Sequence, residues 1–174
     1  MGKWQRTADG ISLADGKSGY LAIPLNVSGD FELEATFKKI SGEDVMLAFP
    51  VGGSEAMICV GGLHNTLGGI RFIDGKGAAA NETRVRAGII LGHLHTMAIR
   101  GSVDGQSTDI AVTLDGNPYT KWSGPWKSLS VGGMWQGKRN PKTIGLALGT
   151  AEGFFVSARL RKIAGEPKPL RPPA

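Results

Sequence analysis

The sequence contains a single cysteine and no long apolar run. Cys59 is the only thiol among 174 residues, so no disulfide bond can form within the chain. No uncharged apolar stretch approaches the roughly 20 residues that a membrane-spanning helix requires. The first ten residues, MGKWQRTADG, lack the apolar core of a signal peptide. We therefore expect no disulfide and no membrane insertion. The compartment stays open between the cell interior and a secreted or cell-surface multidomain protein.

Motifs for transition metals and nucleotides are also missing. The chain has three histidines, and the pair His93 and His95 lacks a third ligand at a zinc-site spacing. A structural role at the start of a strand is the favoured interpretation of this pair. The run DGKGA, which begins at Asp74, does not end in the Gly-Lys-Ser/Thr of a phosphate-binding loop. We expect no resident transition metal and no bound nucleotide.

The basic charge does not by itself indicate a nucleic-acid partner. The net charge is +5, but the cations are spread along the chain without zinc-finger spacing or an RNA-binding aromatic signature. The densest cluster, formed by Arg159, Arg161 and Lys162, falls in a strand pattern with apolar residues on the other face. We interpret this cluster as a solvated outer sheet face and expect no nucleic acid.

Alternation of apolar and polar residues is the dominant pattern. In FELEATFK, residues 31–38, the apolar residues occupy one face, as a half-buried antiparallel strand requires. Similar runs cover 20–25, 45–51, 56–60, 70–73, 96–103, 109–114, 143–148 and 154–163. Asp-Gly pairs at Asp9, Asp15, Asp74, Asp104 and Asp115 favour tight turns. These patterns predict an all-β fold, a two-sheet antiparallel β-sandwich.

The length indicates one domain, and the composition changes near its end. Residues 1–164 carry the strand patterns, whereas residues 165–174 hold Pro167, Pro169, Pro172 and Pro173 and almost no core material. A proline-rich segment of this kind favours an extended conformation. We predict a single β-sandwich domain followed by a proline-rich linker or tail, which is typical of a module within a larger protein.

Three stretches resemble a known group of β-sandwiches. They are GDFELEATFKKISGEDVMLAF, HTMAIRGSVDGQSTDIAVTLDGNPYTKWSG and TIGLALGTAEGFFVSARLRKI. Their order resembles concanavalin A-like and laminin-G-like jelly rolls, particularly the bacterial 3-keto-disaccharide hydrolase-like domain. Asp30, Phe31, Leu33 and Phe37 match an early Asp-Phe-x-Leu-x-x-x-Phe strand of such domains. A later pattern that leads into an Asp-Gly hairpin is matched by His95, Ile99, Asp115 and Gly116.

The resemblance implies a jelly roll whose concave face and loops often bind carbohydrate. Some relatives are hydrolases and many only bind. The Glu-x-Asp-x-x-Glu strand of concanavalin-like glucanases is absent, and Glu32 and Glu34 fit a solvated sheet face better than a catalytic pair. The resemblance also leaves room for a calcium ion held by a loop aspartate, for which Asp74 or Asp104 could serve.

One glycine-rich stretch, residues 61–83, concentrates polar side chains around the short apolar run 70–73. Amides, carboxylates and guanidinium groups hydrogen-bond sugar hydroxyls, and an aromatic ring stacks on the apolar face of a sugar. Trp122 is expected to cap the core, whereas two other tryptophans lie in less regular sequence. The predicted ligand-binding residues are His64, Asn65, Arg71, Asp74, Asn81, Trp126 and Trp135.

These patterns favour a non-catalytic binding module whose ligand is a carbohydrate. One alternative is a glycoside hydrolase-like enzyme that uses dispersed acids such as Glu55, Asp74 and Glu82. Another is a structural domain that contacts other protein domains. The carbohydrate hypothesis predicts that ring and amide groups from residues 61–83 and from the tryptophan segment converge on one exposed patch. Under this hypothesis, Asn81→Ala weakens binding and leaves folding intact.

Overall fold

A computed structural model describes residues 2–13, 17–27, 29–132, 135, 142–163 and 168–169. Nearly all regular structure in this part of the chain is β-strand. The strands are β1 (Trp4–Arg6), β2 (Ile11–Leu13), β3 (Gly19–Ile23), β4 (Leu25–Asn26), β5 (Phe31–Val51), β6 (Ser54–Gly61), β7 (Leu67–Ile70), β8 (Phe72–Ile73), β9 (Lys76–Gly77), β10 (Leu94–Asp104), β11 (Ser107–Leu114), β12 (Asn117–Pro125), β13 (Leu129–Ser130), β14 (Ile144–Lys162) and β15 (Lys168–Pro169).

Two short helical segments interrupt the strands. They are α1 (Gly62–Asn65) and a 3-10 turn (Trp126–Ser128). None of the helices in the described ranges is long and apolar enough to cross a membrane. The predicted all-β class is confirmed.

Two antiparallel sheets share the long strands β5 and β14. The back sheet has the order β1-β2-β14-β5-β10-β11-β12 and uses the first half of β5 with the second half of β14. The front sheet contains β3, the first half of β14, the second half of β5, and then β6 and β7. All of these pairs are antiparallel, so the predicted two-sheet sandwich is confirmed.

A bend at Gly42 carries β5 from the back sheet into the front sheet. The sequence predicts separate strands over 31–38 and 45–51, but the structure joins them into one strand of 21 residues. Gly42 has φ +84°, and a Cβ there would lie 2.2 Å from the carbonyl oxygen of Thr150 in β14. Thr150 itself has φ +55°. Both long strands therefore turn at the same level, and only glycine fits the crowded position.

Turn chemistry places the hairpins where the sequence predicts them. Asp115 and Gly116 connect β11 to β12 with φ values of +53° and +77°, and Asp74 and Gly75 connect β8 to β9 with +48° and +73°. Two consecutive positive φ angles are those of a type I′ turn. The Asp15 pair lies outside the described residues.

The main core lies between the two sheets. Inward-facing residues of β5 alternate with outward ones along both halves of the strand, as a period of two requires. Buried side chains of this core include Phe31, Leu33, Phe37, Val45, Leu47, Phe49, Ile58, Met97, Ile99 and Ile110. Trp122 belongs to this core and donates its indole N–H to Glu82 at 2.8 Å, in line with its predicted capping role.

A second apolar cluster covers the outer face of the front sheet. Met46, Met57 and Cys59 point away from the main core, because they alternate with residues that face it. The residues that pack over them come from distant segments and include Ala78, Val131 and Trp135. The front sheet is therefore buried on both faces over much of its area.

The end of the chain has one described backbone contact. Lys168–Pro169 pairs with Leu25–Asn26 in an antiparallel arrangement. Residues 164–167 and 170–174 lie outside the described ranges. The division into a domain of residues 1–164 and a proline-rich linker or tail stays a prediction.

Candidate functional site

The glycine-rich stretch begins with a left-handed turn. Leu63, His64 and Asn65 have φ values of +47°, +55° and +67°, which non-glycine residues adopt only with support. Lys39 provides part of that support, since its buried Nζ donates to the Gly61 carbonyl oxygen at 2.5 Å and to Asn65 Oδ1 at 3.5 Å. Burial lowers the pKa of this amine, and the nearby carboxylates of Glu43 and Asp44 oppose that shift.

Asn65 links this turn to the loop that precedes β10. Its Nδ2 donates to the Ile89 carbonyl oxygen at 2.8 Å, and its Oδ1 accepts the Ile89 amide at 3.3 Å. A side-chain amide that pairs with both the backbone N–H and the backbone carbonyl of one residue acts like a neighbouring strand. Although Asn65 is a predicted ligand-binding residue, its amide is already engaged within the protein.

Arg71, which follows β7, forms an ion pair with Asp44 of β5 across the intervening strand β6. Arg71 Nη1 lies 2.7 Å from Asp44 Oδ2, and the two side chains are 28% and 14% exposed. Burial raises the pKa of Asp44, and the Arg71 guanidinium partly offsets this by favouring the carboxylate. Guanidinium groups retain further donors after one such contact, so the pair still presents N–H groups to a ligand.

Glu43 fixes the turn from the other side. Its carboxylate accepts the His64 backbone amide at 3.2 Å and lies 3.3 Å from His64 Nδ1. The His64 side chain is 91% exposed. This predicted residue therefore stands at the surface, beside a carboxylate that the sequence analysis did not select.

A cavity of about 320 Å³ joins these groups. It opens at the edge of the outer face of the front sheet, where the second apolar cluster ends. Polar groups from β5 and from the short connection after β7 meet apolar and aromatic side chains there. The lining residues are Glu43, Asp44, Cys59, Leu63, Leu67, Arg71, Phe72, Gly77, Ala78 and Ala79. We call this space the Asp44–Arg71 cavity.

Asn81 is not at the surface. It is 6% exposed, donates to the carbonyl oxygens of Ile70 (2.9 Å) and Lys76 (3.2 Å), and accepts the amide (3.0 Å) and hydroxyl (2.6 Å) of Thr83. These four contacts use the donors and the acceptor of its amide. The expectation that Asn81 faces a ligand is wrong, because the loop needs the side chain to satisfy its own buried backbone.

Trp135 is also buried. It is 2% exposed and packs beside Tyr20, with ring centroids 5.9 Å apart, over the outer face of the front sheet. The expectation that this indole faces solvent is wrong. The irregular sequence around Trp135 predicts exposure, but the ring packs in the second apolar cluster, against residues that include Ala48 and Ala147.

The remaining predicted residues lie apart from the cavity. Asp74 is exposed in the β8–β9 turn, where its amide donates to the Ser128 carbonyl oxygen at 2.8 Å. Trp126 is half-buried, and a Cβ at Gly52 or Gly53 would lie 2.4 or 2.8 Å from its ring. Its indole donates to the Gly105 carbonyl oxygen at 3.2 Å. Trp126 thus packs against a turn at the end of β5.

Three groups of this cavity were not selected from the sequence. Glu43 and Asp44 sit between two predicted strands, where acids are ordinary solvated residues. One feature of the sequence could have identified them. Asp44 comes directly before the buried run 45–51, so its side chain is held at the end of the predicted core strand. Phe72 lies inside the predicted run 70–73, but the structure divides that run at Arg71. Its half-buried ring therefore borders the cavity rather than the main core.

The acids proposed for hydrolysis have separate surroundings. Glu82 accepts the Trp122 indole, Asp74 forms a hairpin turn, and Glu55 lines a different cavity of about 560 Å³ beside Pro50 and Ser54. A glycosidase needs two carboxyl groups across one bond. Glu55, Asp74 and Glu82 do not line one common cavity among those found in the described residues. Glu43 and Asp44 instead share one.

Metal-ligating groups are scattered in the described part of the chain. Asp74 and Asp104 belong to two different hairpins, and no group of three His, Cys, Asp or Glu side chains could hold a metal ion in the ranges described. Each of these aspartates would have to bind calcium together with backbone carbonyl oxygens, so a calcium ion at Asp74 or Asp104 stays a prediction. His95 is buried, lying 2.6 Å from Asp115 Oδ2 and 2.9 Å from the Ile90 carbonyl oxygen, which is a structural role.

Several solved structures share this fold at low sequence identity. The carbohydrate-binding module CBM66 from Bacillus subtilis is 14% identical with a TM-score of 0.60, and the match covers 93% of this chain and 92% of that chain. The exoplasmic/lumenal domain of VIP36, in a form bound to Ca2+ and Man3GlcNAc, is 12% identical with a TM-score of 0.60 and coverages of 95% and 83%.

Peanut lectin with a 9-mer peptide is 10% identical, with a TM-score of 0.56 and coverages of 92% and 88%. No protein-family model and no curated protein matches the chain. At these identities the likeness shows the fold, a jelly-roll β-sandwich, which confirms the broad resemblance to concanavalin A-like domains.

Proposed function

We propose that this protein is a saccharide-binding module and that the Asp44–Arg71 cavity is its ligand site. The observation that carries the proposal is the convergence of a half-buried ion pair, a second carboxylate and a half-buried aromatic ring in one cavity of about 320 Å³. Carboxylates accept hydrogen bonds from sugar hydroxyls, and a guanidinium donates to them. The Phe72 ring supplies apolar area for the C–H face of a sugar.

The solved structures with the same fold support this class of ligand. CBM66 is a carbohydrate-binding module, and VIP36 is described with a mannose-containing glycan bound. The chemistry of the cavity supports the proposal independently of this likeness. Among the residues predicted from the sequence, Arg71 lines the site. His64 is near the site because its ring contacts Glu43, which lines it. Asn65 stabilises the turn beside the site through its hydrogen bonds to Ile89. The proposed site does not include Asp74, Asn81, Trp126 or Trp135.

Blocking the cavity is the sharpest test. Ala79 lines the cavity and is exposed, whereas the neighbouring Ala80 is exposed but does not line it. A ligand would first be identified on an array of neutral and acidic glycans, and its affinity would then be measured by calorimetry. Ala79→Phe should weaken binding at least about tenfold, roughly 1.4 kcal/mol, by occupying the ligand volume. Ala80→Phe is the matched control and should change the affinity less than about twofold.

Two results would contradict the assignment. Absence of binding to every glycan on the array would remove the saccharide function. Binding that is equal in the Ala79→Phe and Ala80→Phe variants would place the ligand elsewhere on the protein. Melting temperatures of both variants should match that of the wild type, since both positions are exposed.

Hydrolysis is the second candidate function, and one observation favours it. Glu43 and Asp44 line the same cavity, and burial raises the pKa of Asp44 as a general acid requires. However, Asp44 is paired with Arg71 at 2.7 Å, which favours its ionised form. We therefore expect the bound glycan to remain intact in a reducing-end assay over a day. Release of sugar that Asp44→Asn abolishes would support the enzyme instead.

A further inference from the structure

Another cavity, on the outer face of the back sheet, is lined by cations. It measures about 390 Å³, and its lining residues are Arg100, Arg161, Lys162 and Ile163. No carboxylate is among these lining residues. Because the Asp44–Arg71 cavity lies on the front sheet, the two sites belong to different faces of the sandwich.

Strand register brings the two arginines together. Glu32 in β5 lies opposite Arg100 in β10 and opposite Arg161 in β14, so all three side chains share one face of the sheet. Adjacent strands are about 4.8 Å apart, which puts the two arginines about 10 Å apart at the backbone. Their long side chains can therefore reach the same central carboxylate.

Glu32 holds both guanidinium groups. Its Oε2 accepts Arg100 Nη2 at 3.2 Å, and its Oε1 accepts Arg161 Nη2 at 2.9 Å. The arginine side chains are nevertheless 65% and 72% exposed. Each guanidinium has five N–H donors, so one contact to Glu32 orients the group and leaves donors for another acceptor. This arrangement reduces the entropy that a ligand must remove to order the side chains.

The charge around the cavity is positive. Arg100 and Arg161 carry two positive charges and share the single carboxylate of Glu32, which leaves one positive charge between them. Lys121 and Arg159 line neighbouring cavities on either side. Those cavities also contain carboxylates, from Asp30 and Asp109 on one side and from Glu32 and Glu34 on the other. The cavity itself is lined by cations and Ile163, and carboxylates enter only as the partner of the two arginines or in the neighbouring cavities.

We propose that this cavity is an anion-binding site that takes a sulfate or carboxylate group of an acidic polysaccharide. Planar guanidinium forks pair with oxyanions through two parallel hydrogen bonds, and Arg100 and Arg161 present two such groups side by side. No aromatic residue lines the cavity, whereas single-stranded nucleic-acid sites combine positive charge with aromatic platforms. The proposal does not depend on the function of the Asp44–Arg71 cavity.

Three polymers test the site by calorimetry at low salt. Heparin carries sulfates, polygalacturonate carries only carboxylates, and dextran is the neutral control. We expect heparin, polygalacturonate or both to bind. Dextran should not displace a bound acidic polymer. The Arg100→Gln/Arg161→Gln variant should weaken this binding at least about tenfold, and the slope of log affinity against log salt should fall by about two. The acidic polymer that binds more tightly identifies the preferred oxyanion.

A matched variant separates a built site from general attraction. Lys76→Gln/Arg86→Gln removes two charges from exposed positions outside the cavity, so it lowers the net charge equally. It should reduce affinity less than about threefold. Equal losses in both double variants would overturn the proposal, as would failure of heparin and polygalacturonate to bind the wild type. Single-stranded DNA that binds more tightly than both polymers, with the same dependence on Arg100 and Arg161, would overturn the saccharide assignment.

Folding is checked independently. Both arginines are largely exposed, so the double variant should melt within a few degrees of the wild type. The single variant Arg161→Gln leaves the Arg100 contact to Glu32 in place and should lower the salt slope by about one. An unchanged slope in the single variant, with binding intact, would also contradict the site.

Discussion

Replacing Asn81 should damage the fold rather than only a binding surface. The side chain is 6% exposed and connects three parts of the loop through four hydrogen bonds. Thr83 extends the network, because its hydroxyl also accepts the Ile70 amide at 2.9 Å. In Asn81→Ala, the Ile70 carbonyl oxygen and the Thr83 amide lose partners inside the protein, while the Lys76 carbonyl oxygen lies nearer to solvent.

The magnitude follows from the number of groups that remain unpaired. A typical hydrogen bond contributes about 0.5–1.5 kcal/mol, and a buried group without a partner costs about 1–3 kcal/mol. Partial entry of water into the space left by the amide reduces the total. We therefore expect Asn81→Ala to lower the free energy of unfolding by about 2–4 kcal/mol, which corresponds to roughly 4–16 °C in melting temperature for a chain of this size.

Urea denaturation followed by circular dichroism measures this change. Asn117→Ala is the matched control, because the Asn117 side chain is exposed and donates to the Asp115 carbonyl oxygen at 3.2 Å. The control should change stability by less than about 0.5 kcal/mol. If both alanine variants unfold at the same urea concentration, Asn81 does not organise the loop and the reasoning from its burial fails.

Three further predictions concern buried positions. Burial raises the pKa of the Cys59 thiol to about 12. A thiol reagent at pH 8 should therefore label Cys59 only as fast as the protein unfolds, and rapid labelling of the native protein would contradict its burial. Burial lowers the pKa of Lys39 in the folded protein below its ordinary value of 10.5. Between these two pKa values the unfolded chain binds more protons than the folded protein. The free energy of unfolding should therefore rise with pH in that window. The rise should be absent in Lys39→Met, as urea midpoints at several pH values would show. A Cβ at Gly68 would lie 1.6 Å from Tyr119 Oη, so Gly68→Ala should cost about 1–3 kcal/mol. Gly77→Ala should cost less, and Tyr119→Phe should recover part of the Gly68→Ala loss in thermal melts.

Local sequence determines the strands and turns of this protein. Alternation in 31–38 predicts which residues of β5 face the core, because the side-chain period of a strand is a local property. Asp-Gly pairs predict the turns at Asp74 and Asp115, because positive φ is also decided within a few residues. The apolar run AMICVG, residues 56–61, likewise predicts a buried position for Cys59, and the structure buries it fully.

Tertiary structure decides where the long strands change sheets. The residues around Gly42 are polar or charged and predict a loop between two strands, yet β5 continues through them. Its continuity depends on β14, which turns at Thr150 beside it and supplies backbone partners on both sides of the bend. The pattern of neighbouring residues in the sequence cannot predict hydrogen bonds to a strand more than 100 residues later.

Tertiary structure also decides which polar and aromatic side chains reach the surface. Asn81 and Trp135 have the residue types of a sugar site, but Asn81 is buried against the backbone of its own loop and Trp135 against strands distant in sequence. Asp44 and Arg71 meet across 27 residues of chain, and Arg100 and Arg161 meet at Glu32 through the register of three strands. A sequence specifies the period of each strand, whereas exposure and charge pairing depend on what packs against it, which is a property of the whole fold.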